Sequence, residues 1–180
     1  MSHKRGEDAS KTPKDQQRTP PLLFKKLDDR FKFVLDAAST DANALCPLHY
    51  TKETNALVQS WVVRRPGAKP GDRPGSVFCN PPYSLGQVED FLDKGYQESL
   101  KGPIVAFLIT CDVSPGYYDT CFLASEWIAL KGRVEFNHED GTPIKGSAMF
   151  GSNVIVFDQE QKIRQNGETI VTRMDWKEQN

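Results

Sequence analysis

The segment that most constrains this chain is "PIVAFLIT", residues 103 to 110. It is an unbroken apolar run, far short of the ~20 residues that cross a membrane. It reads as a strand buried on both faces, the kind found inside a parallel sheet sandwiched between helices. The flanking sequence supplies the helices. "LGQVEDFLDKGYQESLKG", 85 to 102, carries Val88, Phe91, Leu92 and Tyr96 at helical spacing. "TPPLLFKKLDDRF", 19 to 31, opens another helix, with Thr19 as cap, Pro20 and Pro21 in the first turn, and Leu22, Leu23, Phe24 and Leu27 following.

Other segments extend the alternation. "FKFVLDAAS", 31 to 39, reads as a buried strand ending at Asp36, and "NALCPLHY" offers a short strand near 43 to 46. "TKETNALVQSWVV", 51 to 63, reads as a helix or turn, and "PGYYDTCFLASEW", 115 to 127, as a helix. "WIALKGRVEF" and "SNVIVF" can pair as a terminal hairpin, and "TIVTRMDW" offers one more strand. The expected architecture is α/β, a mostly parallel sheet with an antiparallel hairpin towards its C-terminal end.

A length of 180 residues suits one domain with a real core. Residues 1 to 18 are polar and lysine-rich, expected to form a disordered tail without an apolar leader segment. The domain proper is expected over 19 to 157, with 158 to 180 as a C-terminal extension. The four cysteines, Cys46, Cys79, Cys111 and Cys121, are scattered, which argues against a zinc site and for reduced thiols. A net charge of -1 leaves any nucleic-acid surface to local clustering. The cluster is "RRPGAKPGDRPGS", 64 to 76, a loop carrying Arg64, Arg65, Lys69 and Arg73 against Asp72.

That loop leads into "VFCNPPYS". Two adjacent prolines donate no backbone hydrogen bond and hold the chain extended, so the exit from the strand is a stiff corner. The Asn80 side-chain oxygen and the Pro81 carbonyl are two acceptors, the latter held by Pro82, and Tyr83 adds a flat face. Together they suit a planar group bearing NH₂. Drawing on both N–H bonds localises the nitrogen lone pair and makes the amine nucleophilic, by positioning and electrostatics alone. Asp36 and Asn80 each end a strand on the side where open α/β sheets bind ligands.

Asn-Pro-Pro-Tyr after a strand resembles the catalytic motif of S-adenosylmethionine-dependent amino-methyltransferases. More narrowly, the chain resembles the phage-type DNA N6-adenine methyltransferases, through "TPPLLFKKL", "FKFVLDAAS", "NALCPLHYTKETNAL", "VFCNPPYS", "GRVEF" and "SNVIVF", in that order. The resemblance implies a Rossmann-like methyltransferase sheet with an antiparallel last strand. It implies methyl transfer from S-adenosylmethionine to adenine N6 by direct displacement, on a base flipped out of double-stranded DNA. It implies that Asn80, Pro81, Pro82 and Tyr83 hold the target base, with Tyr83 stacking on it. It implies that Thr19, Pro20, Asp36, Ala37, Ala38 and Asn55 contact the cofactor, that no metal takes part, and that the protein works in the cytoplasm of a bacterial host. Two departures stand out: "DAAST" lacks the glycines such loops usually carry, and position 55 is Asn where Asp is expected.

Blander readings coexist with these. Asn-Pro-Pro-Tyr can be a plain turn, Asp36 a loop-end carboxylate, and Thr19-Pro20 a simple helix start. The basic loop is either solvated or touches DNA phosphates, and Trp61 and Trp127 read as core. Protein-glutamine and RNA methyltransferases share the same corner chemistry, and a catalytically inactive DNA-binding relative is a third class.

Overall fold

A computed structural model describes residues 18–83, 86–138, 141–144 and 150–177 of the chain. The tail expected at the N-terminus therefore lies, apart from Arg18, outside the described residues. In chain order the elements are α1 (Pro21–Phe31), β1 (Phe33–Asp36), β2 (Leu48–His49), β3 (Ser76–Cys79), α2 (Gln87–Ser99), β4 (Val105–Thr110), α3 (Tyr118–Cys121), β5 (Glu126–Leu130), β6 (Ser152–Phe157), α4 (Gln159–Arg164) and β7 (Ile170–Met174). The apolar run at 103 to 110 forms β4, the middle strand of a seven-stranded sheet ordered β2-β1-β3-β4-β6-β5-β7. Only β6 runs antiparallel to its neighbours, β4 and β5.

Strand alternation splits the core into two layers. On one face Val77, Cys79, Val105, Phe107, Ile109, Ile155 and Phe157 pack with Val88, Phe91 and Leu92 of α2 and with Trp61. On the other, Phe78, Ala106, Leu108, Val154 and Val156 meet Leu23, Leu27 and Phe31 of α1. Gly95 lets α2 lie against the sheet, since a Cβ there would come within 2.3 Å of the Phe107 ring. Fully buried Glu126 joins α1, β5 and β7, accepting from Arg30 at 3.0 and 2.5 Å and from Thr172 Oγ1 at 2.6 Å.

Several expectations shift. The second strand lies at Leu48–His49 rather than 43 to 46, because Leu48 and His49 are the residues that register with Leu35 and Asp36. Of the two readings of 51 to 63, the turn is the one observed, over residues 51 to 60. The segment 115 to 127 yields one helical turn, since Trp127 already belongs to β5. The hairpin strands do pair, Trp127 opposite Ile155, but the strand after them, β7, lies parallel to β5. The reversed strand is thus not the last one.

Candidate active site

The chain leaves β1 to form β2 on one side, then returns to form β3 on the other. Open α/β sheets bind ligands at such a reversal, here at the carboxyl ends of β1 and β3, where Asp36 is in register with Phe78. Asp36 is 2% exposed. Its carboxylate closes the following loop, Oδ1 accepting from the Ala38 N–H at 3.3 Å and Oδ2 from the Leu45 N–H at 3.0 Å. Burial pushes its pKa up to about 6, against the downward pull of those two donors and of His49. Ala37 donates its N–H to the Phe78 carbonyl at 2.9 Å, which clamps the β1 loop to β3. Ala38 is half-buried against the core.

Asn80 follows Cys79 out of β3 and turns its side chain towards the α1 layer. Its Nδ2 donates to Thr19 Oγ1 at 3.4 Å. Its Oδ1 is buried with no hydrogen-bond partner. Ser39 Oγ, on the loop after β1, is a second buried oxygen without one. A buried acceptor without a donor costs about 1–3 kcal/mol, so such atoms are informative. Thr19 is 3% exposed and does not cap α1: the cap position is Pro20, with no side-chain bond. Arg18 explains this, because its backbone pairs both ways with Asn137 at 2.9 Å and holds Thr19 beside Asn80. Pro20 is buried and its carbonyl accepts from Phe24 N–H at 3.0 Å.

Pro81 is buried, and Pro82 and Tyr83 are half-buried. The Tyr83 hydroxyl donates to the Leu108 carbonyl at 3.3 Å, fixing the ring, and burial pushes its phenol pKa well up. Tyr83 walls a cleft of about 430 Å³ shared with Thr110, Asp112, Tyr117 and Phe150. Tyr117 is braced by its hydroxyl, 3.3 Å from Thr110 Oγ1. Thr110, Asp112 and Tyr117 went unnoticed in the sequence. The signal was there, since they follow the carboxyl end of β4 as Asn80 follows that of β3.

Asn55 stands on the loop beyond β2, at the same sheet edge, exposed, with its Oδ1 accepting from Leu57 N–H at 3.2 Å. Its φ is +53°, a left-handed conformation in which Asn is much favoured, which gives a backbone reason for Asn at this position.

The basic loop lies elsewhere. It feeds the amino end of β3, the end of the sheet opposite Asn80. Arg73 donates to the Gly102 carbonyl at 2.7 Å and to Asp158 at 2.8 Å, and Arg65 reaches Ser76 Oγ at 3.2 Å. Arg64 and Lys69 are exposed. Thus Thr19, Pro20, Asp36, Ala37, Ala38, Asn55 and Asn80 to Tyr83 share one edge, and the four basic residues do not.

Comparison with known proteins gives a consistent result. A family model described as "DNA N-6-adenine-methyltransferase (Dam)" matches residues 6–180. The chain is 41% identical over 70 residues to a protein of Escherichia coli (strain K12) described as "Putative methyltransferase YfdM", covering 38% of this chain and 71% of that protein. It is 26% identical over 115 residues to the "DNA N-6-adenine-methyltransferase" of Escherichia phage T1, covering 63% of this chain and 43% of the phage protein.

Proposed function

The chain belongs to the DNA N-6-adenine-methyltransferase (Dam) family, and from that premise we propose that it transfers a methyl group from S-adenosylmethionine to N6 of an adenine turned out of duplex DNA. One observation carries the reading. Asn80 presents a buried oxygen with nothing to accept from, at the point where the strand order reverses. An exocyclic amine is the complementary group.

The residues fit the donor. Asp36 is the buried carboxylate at the end of β1, and the small Ala37 and Ala38 leave the backbone open to close approach despite the missing glycines. Asn55 and Ser39 line the same edge. When bound, S-adenosylmethionine would supply an electrophilic methyl group that an amine can take by direct attack, the thioether being the leaving group. Asp36, Ala37, Ala38 and Asn55 would hold it, with Pro20 alongside. The seven-stranded sheet, with β6 reversed between β4 and β5, is compatible with a Rossmann-like methyltransferase fold.

In this reading Asn80 Oδ1 and the Pro81 carbonyl accept the two amine hydrogens. That raises electron density on nitrogen and stabilises the positive charge the nitrogen gains before it releases a proton to water. Tyr83, its hydroxyl tied to Leu108, offers a fixed ring face to the base. The adjoining cleft gives a flat, extruded base somewhere to go.

The test is methyl transfer from labelled S-adenosylmethionine to unmethylated duplex DNA, with nucleoside mass spectrometry of the product. N6-methyladenine is expected. Label in a glutamine side chain or in RNA, with none in DNA, would overturn the substrate while keeping the amine chemistry.

A further inference from the structure

The Asn80 amide can face the site with either its oxygen or its NH₂, and only the first orientation accepts from an amine. We infer that Thr19 anchors the amide in the first orientation, its hydroxyl oxygen accepting from Nδ2. Thr19 Oγ1 lies 3.4 Å from Asn80 Nδ2, on the α1 side of the corner, and so takes the amide's donor end. The acceptor end, Oδ1, is then left buried and unpaired. Thr19 itself is 3% exposed, too enclosed to drift away from this contact. It is gripped from both sides: the two-way backbone pairing of Arg18 with Asn137 precedes it, and Pro20 starts α1 directly after it. The pairing spans the start of the described chain and the long excursion after β5. Thr19 is therefore a positioning residue that acts through Asn80. The family resemblance pointed to the cofactor for the same threonine. This inference rests on the proposed amine-holding role of Asn80 for its catalytic consequence, though not for its geometry.

Thr19→Val keeps the shape and removes the oxygen, leaving the Asn80 NH₂ buried without an acceptor. Thr19→Ser keeps the oxygen. The first readout is the Asn80 side-chain amide in ¹⁵N-resolved NMR of the unliganded protein. Its two protons should be distinct and protected from exchange in the parent and in Thr19→Ser, and should shift and exchange faster in Thr19→Val. The second is kinetic. Thr19→Val should slow methyl transfer on the order of tenfold, as expected when a reacting group loses its alignment. Its Kd for S-adenosylmethionine by calorimetry should stay within about twofold of the parent's, and Thr19→Ser should restore the rate. Unchanged Asn80 amide signals in Thr19→Val would overturn the inference, whatever the substrate proves to be. So would a cofactor Kd that weakens in step with the rate, which would make Thr19 a cofactor contact. Should the parent methylate no adenine, the NMR comparison still decides whether Thr19 holds the Asn80 amide, so the two failures are distinguishable.

Discussion

The two ends of β3 carry similarly polar sequence and do opposite things with it. At the amino end, Arg73 is fully engaged with Gly102, Asp158 and Glu160, and Arg65 reaches back to Phe31 and Ser76. At the carboxyl end, Asn80 has its NH₂ engaged and its oxygen buried without a partner. Folding leaves few buried polar groups unmatched. Where matching is complete, the residues build the fold; an acceptor left over is open to a donor from outside the protein. Charge alone pointed at the other end of the strand.

The sharpest way to break the contrast is to delete the leftover acceptor. Asn80→Ala should lower methyl transfer by roughly 10²–10³-fold, the loss seen when a preorganised polar group aimed at developing charge is removed. It should not lower stability, since it also removes an unsatisfied buried atom. Turnover assays with a thermal melt, and cofactor affinity by calorimetry, check this. Equal loss of cofactor binding and turnover would contradict the assigned role.

Asp36 tests the same edge by pH. Its carboxyl is raised from an ordinary value near 4 to about 6, chiefly by burial. The neutral form is thus favoured in the folded state. The stability this group contributes is full below about pH 4 and is lost as pH rises through about 6. Asp36→Asn should remove that dependence. Between pH 4 and pH 7 the variant should gain on the parent by up to about 3 kcal/mol, measured by denaturant unfolding at each pH. A constant difference across the range would mean that the carboxyl titrates normally. Cofactor affinity should fall in the same variant if the carboxylate holds the donor.

Much of this edge was legible because its signals are local. Alternation and an apolar run marked β1, β3 and β4, and two prolines marked the corner after Cys79. Sequence reasoning failed where long-range pairing decides. β2 is two residues long and owes its position to register with Leu35 and Asp36, not to β propensity. The 115 to 127 segment has a helical pattern, but Tyr118 and Cys121 are buried within a single turn and Trp127 is claimed by β6. Thr19 has the residue type of a cap, yet the backbone pairing of Arg18 with Asn137, 119 positions on, is next to it and its side chain goes to Asn80. Proline and glycine suffice to mark 64 to 75 as a loop. The charges of Arg65 and Arg73 go to Asp158, Glu160, Ser76 and two carbonyls, partners that no local pattern discloses.

At the other end of β3, Arg73→Ala should cost stability and nothing else. It strands the Asp158 carboxylate, which is 7% exposed and also caps α4 through Gln161 N–H at 3.1 Å. About 1–3 kcal/mol is expected for a partly buried pair of this kind. Methyl transfer per folded molecule should stay at the parent level. Loss of activity with stability intact would move the loop into the functional class.

The smallest effect is expected at Arg64 and Lys69, the exposed pair of the loop. β3 is four residues long, so they stand roughly 13 Å or more from the corner along the strand, at about 3.3 Å per residue. If each neutralised a DNA phosphate, the double variant Arg64→Ala, Lys69→Ala would flatten the slope of log Kd against log salt by roughly 0.9 per contact. Their position predicts a change below one contact's worth, with Kd at fixed salt near the parent's. Binding of one duplex across a salt series measures it. A drop near two contacts would place DNA along the length of β3 and make both its ends functional, and the contrast drawn between them would then be one of distance from the reacting base rather than of purpose.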